Sequence, residues 1–228
     1  MGALECRILR RVNRFVVEVI AAGTVARAFI NNTGRLSEYL APGRRGFCLR
    51  NPPGRRTEYR LFAVEDSGLA ALIDTQMQMK AFEEALERGL IPWLRECRVA
   101  KRNVRLGDSL IDYLLECRGC TMYLEVKSAV LRGDSRYAMY PDCPTERGRR
   151  HIRALIEHAR AGGCAALLFI AALPHVETFR AYAQGDPEIP LLIRDAAGSG
   201  VLVKALAMHY DPVSSTVCLD NADLRVEL

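Results

Sequence analysis

Residues 109–128 constrain the fold most, because they form two strand-like halves around a two-residue turn. Arg118-Gly119 occupies the turn, and glycine supplies the positive φ that such turns need. This register sets Asp112 opposite Glu125, and directly opposed residues of an antiparallel pair point to the same face. Side chains alternate along a strand, so Lys127 joins them. We predict a hairpin with one apolar face and one face that carries two carboxylates and an ammonium.

Residues 1–78 predict an all-β domain, because short β-branched segments alternate with turn residues such as Pro42-Gly43. The predicted strands are 12–20, 24–30, 46–50, 57–65 and 69–74. About five short strands in so short a segment fit a small barrel, of which the oligonucleotide-binding (OB) barrel is one kind.

Residues 79–228 predict a mixed α/β domain. Helices are expected at 79–88, at 145–161 and at 187–197, and strands at 165–171, 201–209 and 217–219, besides the central hairpin. The whole chain is thus assigned to the α+β class, with two domains at 1–78 and 79–228.

Arginine clusters matter more than the net charge of +5. They crowd residues 44–60 and 147–153, and arginine binds phosphate through two parallel hydrogen bonds. Clustered arginine indicates contact with a polyanion. A solvated surface with ordinary ion pairs is the alternative.

Cys117 and Cys120, two of eight cysteines, have zinc-knuckle spacing, but no second pair completes four ligands. A plain hairpin and a disulfide between these two cysteines both stay open. The chain shows no apolar leader, and its longest apolar run, 164–173, is too short to span a bilayer. We expect a cytoplasmic protein without membrane contact.

Several segments extend the pattern beyond the hairpin, namely Val12-Asn-Arg-Phe15, Asn32-Thr-Gly-Arg-Leu36, Glu125-Val-Lys-Ser128 and Tyr140-Pro-Asp-Cys-Pro-Thr-Glu-Arg-Gly-Arg-Arg-His151. With them the chain resembles the sugar fermentation stimulation protein family along almost its whole length. The resemblance implies an OB-like barrel, a C-terminal domain like the PD-(D/E)xK nucleases, DNA binding of low sequence specificity and a regulatory link to sugar metabolism.

Hydrolysis of a phosphodiester needs a cation that neutralises phosphoryl oxygens and an activated water. Mg²⁺, or Mn²⁺ in its place, favours carboxylate oxygens and keeps several waters. We expect Asp112 and Glu125 to be metal ligands, with Glu84 as a third by resemblance to nucleases of this class. Lys127 would position or deprotonate the water, so Asp112, Glu125 and Lys127 are the catalytic candidates.

A second layer is expected around this site. Arg147 would face phosphate, while Glu146 and His151 would orient water or metal. Thr145 belongs to this layer or is a plain helix N-cap. Arginines near a helix N-terminus oppose its dipole, and a docked anion would remove the conflict.

The expected partner is DNA, in double-stranded form, and a homo-oligomer is left open. Residues expected to contact DNA are Arg14, Asn32, Thr33, Arg35, Arg44, Arg45, Arg55 and Arg56. Three functions remain: a metal-dependent DNA endonuclease, a non-catalytic DNA-binding transcriptional regulator, and a sugar-phosphate binding protein. An ion pair between Asp112 and Lys127 on a solvated face is the non-catalytic explanation of the hairpin.

Overall fold

A closed five-stranded barrel occupies the N-terminal third of the chain in the computed structural model, which describes residues 2–134 and 136–228. Its strands are β1 (Leu4–Asn13), β2 (Val16–Ala21), β3 (Thr24–Phe29), β4 (Arg45–Arg50) and β5 (Tyr59–Asp66). Antiparallel pairs join β1 to β2 and β4, β2 to β3, and β4 to β5, and a parallel pair of β3 with β5 closes the ring. This arrangement confirms the predicted OB-like barrel.

The predicted single strand at 12–20 is wrong. The side chain of Asn13 accepts a hydrogen bond from the backbone N–H of Phe15 at 2.8 Å, which forms a tight turn. This turn ends β1 and starts β2. Strand β1 itself was missed, although its Cys6 and Ile8 point into the barrel core.

The C-terminal two-thirds build a mixed sheet from strands β7 (Cys97–Leu106), β8 (Ser109–Cys117), β9 (Cys120–Ala129), β10 (Leu131–Gly133), β11 (Tyr137–Tyr140), β12 (Cys164–Ala171), β13 (Thr178–Ala181), β14 (Leu202–Asp211) and β15 (Thr216–Glu227). Their order in the sheet is β7-β8-β9-β12-β14-β15-β13-β11-β10. Strands β9, β12 and β14 are mutually parallel, and β12 is buried along almost its whole length, as expected of a parallel strand covered on both faces. Strand β6 (Leu69–Leu72) pairs with β5 of the barrel and with β14, so it connects the barrel to this sheet.

Three α-helices pack on this sheet: α1 (Thr75–Glu87), α2 (Glu146–Arg160) and α3 (Glu188–Gly198), with a short 3-10 turn at Pro92–Leu94. Helix α1 starts four residues before the prediction, because the Asp74 side chain caps it by accepting from the Met77 N–H at 2.8 Å. Within the described residues, no helix has the length and apolar character to cross a bilayer.

Polar contacts fix the barrel against the C-terminal domain. The Arg132 guanidinium donates to Asp66 Oδ2 at 2.8 and 3.0 Å, and Tyr39 Oη donates to the same oxygen at 2.9 Å. The Leu36 N–H donates to Asp142 of the C-terminal domain at 3.1 Å. The two domains therefore meet through paired buried groups, and the space between them has a fixed shape.

Candidate functional site

The central hairpin has the predicted turn at Arg118-Gly119, where Gly119 has a φ of +92°. The strands pair from Cys117 with Cys120 as far as Tyr113 with Leu124. Beyond this point side chains replace backbone pairing. The Val126 N–H donates to Asp112 Oδ2 at 2.8 Å, and the Asp112 N–H donates to Glu125 Oε2 at 3.3 Å. The structure thus brings the two carboxylates side by side.

Glu125 is the central residue of the polar face, and it is almost fully buried. Its Oε1 lies 2.5 Å from Lys127 Nζ and 2.5 Å from His151 Nδ1 on helix α2. Arg147 Nε donates to His151 Nε2 at 3.3 Å. Because Nε2 accepts, the ring proton belongs on Nδ1, and His151 donates it to Glu125. Lys127 therefore pairs with Glu125, not with Asp112.

The charges of the two carboxyl groups are set differently. Burial and the nearby Glu125 carboxylate raise the pKa of Asp112 to about 6. Burial also opposes ionisation of Glu125, but Lys127 and His151 outweigh it and lower its pKa. Burial would lower the pKa of Lys127, yet Glu125 raises it, so this side chain is an ammonium. An ammonium has no lone pair, so Lys127 can position a water but cannot take its proton.

These residues open into a cleft of ≈ 380 Å³ that both domains line. Barrel residues 31–34 form one wall, and the hairpin with the start of α2 forms the other. Asn31 holds its wall by donating to Asp74 Oδ1 and accepting from the Thr75 N–H, both at 3.0 Å. Gly34 abuts Asp142 so closely that a Cβ there would lie 2.6 Å from Oδ2. The site is therefore complete only when the barrel is docked.

The residues at the start of α2 show whether a docked anion is needed to explain the arginines near its N-terminus. Thr145 is the N-cap, since its Oγ1 accepts from the Gly148 N–H at 3.1 Å, and it also lines the cleft. Arg149 pairs with buried Asp186 at 3.0 Å, so an external anion is not needed to explain it. Both Glu146 and Arg147 are exposed, but Arg147 lines the cleft and Glu146 does not.

The structure does not bring Glu84 into this cluster. Glu84 points away, pairs with Arg88 at 2.6 Å and lines a different groove. The neighbouring Glu83 lies nearer the hairpin, where Arg102 and the Tyr113 hydroxyl bind it, the latter at 2.8 Å. The structure therefore places Glu84 outside the cluster, and Glu83, about 100° round the helix from it, does not line the cleft either.

The arginines expected to contact DNA divide into free and engaged groups. Arg44 donates to the Glu65 carbonyl at 2.5 Å, and Arg45 forms a two-pronged pair with Glu5. Asn32 is buried and donates to the Ile73 carbonyl at 3.2 Å. Arg44 and Asn32 are thus engaged with backbone carbonyls of the fold, whereas Arg45 is exposed in a surface ion pair.

The free group lies at one end of the barrel. Arg14 sits over the exposed ring of Phe15, 5.8 Å from its centroid, in the β1–β2 turn. Arg55 and Arg56 are exposed in the β4–β5 loop, and no described residue pairs with them. Both loops are at the same end, because Val16 pairs with Phe29 and Ala28 with Tyr59.

Arg11 was missed by sequence analysis, although it joins this end of the barrel to the cleft. Its guanidinium donates to the carbonyls of Gly34 and Arg35, both at 2.7 Å, and of Arg14 at 2.9 Å. Thr33 and Arg35 are exposed on either side of Gly34 in the same loop. The sequence held no signal for this role, because the partners of Arg11 are backbone carbonyls of two loops.

Comparison with known proteins places both domains. Residues 9–73 match the family model "SfsA N-terminal OB domain", and residues 76–214 match "Sugar fermentation stimulation protein RE domain". A sugar fermentation stimulation protein homolog of Pyrococcus furiosus is 50% identical over 206 residues, covering 90% of this chain and 89% of that protein. A homolog of Archaeoglobus fulgidus is 45% identical over 225 residues, covering 99% and 96%.

The fold also matches a solved structure, described as Pyrococcus furiosus SfsA in complex with Ca²⁺. The TM-score is 0.95 at 46% sequence identity, and the match covers 100% of this chain and 96% of the other.

Proposed function

This chain belongs to the sugar fermentation stimulation protein family, and from that premise we propose that it binds DNA with little sequence preference and cleaves phosphodiester bonds in the presence of Mg²⁺ or Mn²⁺. One observation carries the proposal. Asp112, Glu125 and the Lys127 ammonium converge in a cleft that the OB-like barrel completes. A link to sugar metabolism has the family name as its support.

The donor set suits a divalent cation. Buried Glu125 and half-buried Asp112 lie side by side, and the Glu125 carboxylate contributes to the raised pKa of Asp112. Asp112 Oδ1 has no hydrogen-bond partner among the described residues, so it is available as a ligand. The described residues provide no group of three or more acidic, histidine or cysteine side chains arranged to hold a metal ion, but Mg²⁺ is commonly bound through one or two carboxylates plus waters. The Ca²⁺ in the Pyrococcus furiosus relative supports the same choice.

Such a cation would neutralise phosphoryl oxygens and acidify a bound water. The chain's own residues do the rest. Lys127 stabilises negative charge that develops on the phosphoryl group. His151 holds Glu125 in one orientation through the 2.5 Å contact with Nδ1, and Arg147 at the mouth of the cleft contacts a phosphate of the substrate.

The barrel supplies a path for the DNA backbone into the cleft. Arg55 and Arg56 lie at the outer end, Arg14 follows beside them, and Arg35 lies near the cleft. The path consists of arginines, which contact phosphates whatever the base sequence. Contacts of this kind are typical of non-specific binding.

The direct test is incubation of purified protein with supercoiled plasmid in Mg²⁺, in Mn²⁺ and in EDTA. We expect metal-dependent nicking by the native chain, none by Glu125→Gln, and full nicking by Glu84→Gln. The last variant is a matched control, because Glu84 is an acidic residue of the same domain outside the cleft. Gel retardation without nicking under every condition would leave a DNA-binding protein and refute the catalytic part.

A further inference from the structure

Four half-buried cysteines lie side by side at one end of the C-terminal sheet, each on a different strand. Cys97 on β7 is opposite Cys117 on β8, and Cys117 is opposite Cys120 on β9. Cys164 begins β12, which runs beside β9, and its thiol shares a hydrogen bond with Cys120. We call Cys97, Cys117, Cys120 and Cys164, in this order, the cysteine row.

The sulfurs of the row are in two oxidation states. Cys97 and Cys117 form a disulfide, whereas Cys120 and Cys164 are free thiols. The disulfide between Cys117 and Cys120 that the sequence left open is not formed, because Cys117 is bonded to Cys97 on β7, the strand on its other side.

The row places its sulfurs in the order that thiol–disulfide exchange requires. Exchange is the attack of a thiolate on one sulfur of a disulfide, with the other sulfur leaving. Directly opposed residues on neighbouring strands point to the same face. Cys120, Cys117 and Cys97 therefore share one face as the attacking, central and leaving residues. Cys164 lies opposite Met122, two residues from Cys120, and so it shares that face.

We propose that the cysteine row is a thiol–disulfide exchange site, along which one disulfide moves from the β7–β8 pair to the β9–β12 pair. In the first step, Cys120 gives its proton to water and attacks Cys117 as a thiolate. The bond between Cys120 and Cys117 forms, the bond between Cys117 and Cys97 breaks, and Cys97 leaves as a thiolate that takes a proton from water.

In the second step, Cys164 gives its proton to water and attacks Cys120. The bond between Cys164 and Cys120 forms, and Cys117 leaves as a thiolate and is protonated by water. Each step exchanges one disulfide for another, so neither an oxidant nor a reductant is consumed. The hydrogen bond with Cys164 raises the pKa of the Cys120 thiol, so the first step should be faster at alkaline pH, where more of the thiolate is present.

The row is separate from the proposed catalytic cleft. Cys120 precedes Glu125 by five residues on one strand, which corresponds to roughly 16 Å. The proposal therefore does not depend on metal or DNA, and its failure would leave the proposed function untouched.

The sequence makes the experiment direct, because trypsin places the four cysteines on four different peptides: cleavage after Arg118 separates Cys117 from Cys120. The folded full-length protein is fully reduced and given one molar equivalent of diamide. Samples are quenched with acid over time, alkylated and digested, and linked peptides are identified by mass spectrometry. Two variants accompany the native chain, Cys120→Ser to block the row and Cys164→Ser to stop it after the first step.

We expect the Cys117–Cys120 link as an intermediate in the native chain, while the populations of the Cys97–Cys117 and Cys120–Cys164 links change with time at a constant total. Cys164→Ser should accumulate the Cys117–Cys120 link, and Cys120→Ser should show the Cys97–Cys117 link alone. Populations that stay constant, with no Cys117–Cys120 link in either the native chain or Cys164→Ser, would overturn the proposal. So would native protein that forms no bridge within the row.

Discussion

Loss of the Arg132 side chain should loosen the joint between the domains more than loss of any ordinary surface arginine. In Arg132→Met, Asp66 keeps hydrogen bonds from Tyr39 and Ser67, both at 2.9 Å, but loses its counter-charge. The two side chains are only 17% and 10% exposed. Breaking a buried ion pair costs roughly 3–5 kcal/mol. We expect the lower end, about 3 kcal/mol, because the pair is not fully dehydrated.

Urea denaturation measures this loss, and for a chain of this size it corresponds to a fall in melting temperature of roughly 6–12 °C. The matched control is Arg136→Met, since Arg136 and Glu177 form an exposed pair at 3.5 Å that should contribute less than about 1 kcal/mol. The double variant Asp66→Asn with Arg132→Met should recover much of the loss, because no unpaired charge remains. An Arg132→Met variant as stable as Arg136→Met would refute the reasoning.

Three further predictions follow from the cleft and the barrel. The pKa of Asp112 is raised from 3.8 to about 6, so the folded chain holds this proton more tightly and loses stability as pH rises between those values. Asp112→Asn should thus raise the free energy of unfolding in EDTA by up to about 3 kcal/mol near neutral pH and hardly at all near pH 4; an equal gain at both pH values in urea titrations would contradict this. Replacement of Arg55 and Arg56 by Ser should reduce the slope of log affinity for DNA against log salt by roughly 2, measured by fluorescence anisotropy, and an unchanged slope would exclude them from the path. Gly34→Ala should lower the melting temperature, since the added Cβ would lie 2.6 Å from Asp142 Oδ2, and the same change should lower it less in an Asp142→Ala chain, where the clash is absent.

The hairpin was predictable because its signals are local. Alternating apolar residues and a glycine turn fix the register, and the register sets Asp112 beside Glu125 without tertiary information. The OB-like barrel was predictable as a class for the same reason. Strand β1 was not, since only Cys6 and Ile8 are buried along its ten residues, and its arginines give it the appearance of a polar segment.

Other features depend on packing between distant segments. Glu83 and Glu84 are adjacent residues of the same type, and the side of α1 that packs inward decides which of them faces the hairpin. Phe82 packs against Tyr113 of the hairpin, at 5.6 Å between ring centroids, and this contact brings Glu83 to that side. The disulfide joins Cys117 to β7, a strand that sequence analysis missed, so its partner could not be found. Arg44 and Arg45 were expected to contact DNA, but their partners in the barrel, the Glu65 carbonyl and the Glu5 side chain, come from distant parts of the sequence.

The proposed metal-dependent cleavage requires a divalent cation between Asp112 and Glu125, and crystals soaked in Mn²⁺ test this requirement most directly. We expect an anomalous-scattering peak within about 2.5 Å of carboxylate oxygens from both residues, and no such peak in crystals of Glu125→Gln. A peak elsewhere in the chain, or none at saturating Mn²⁺, would contradict the central claim.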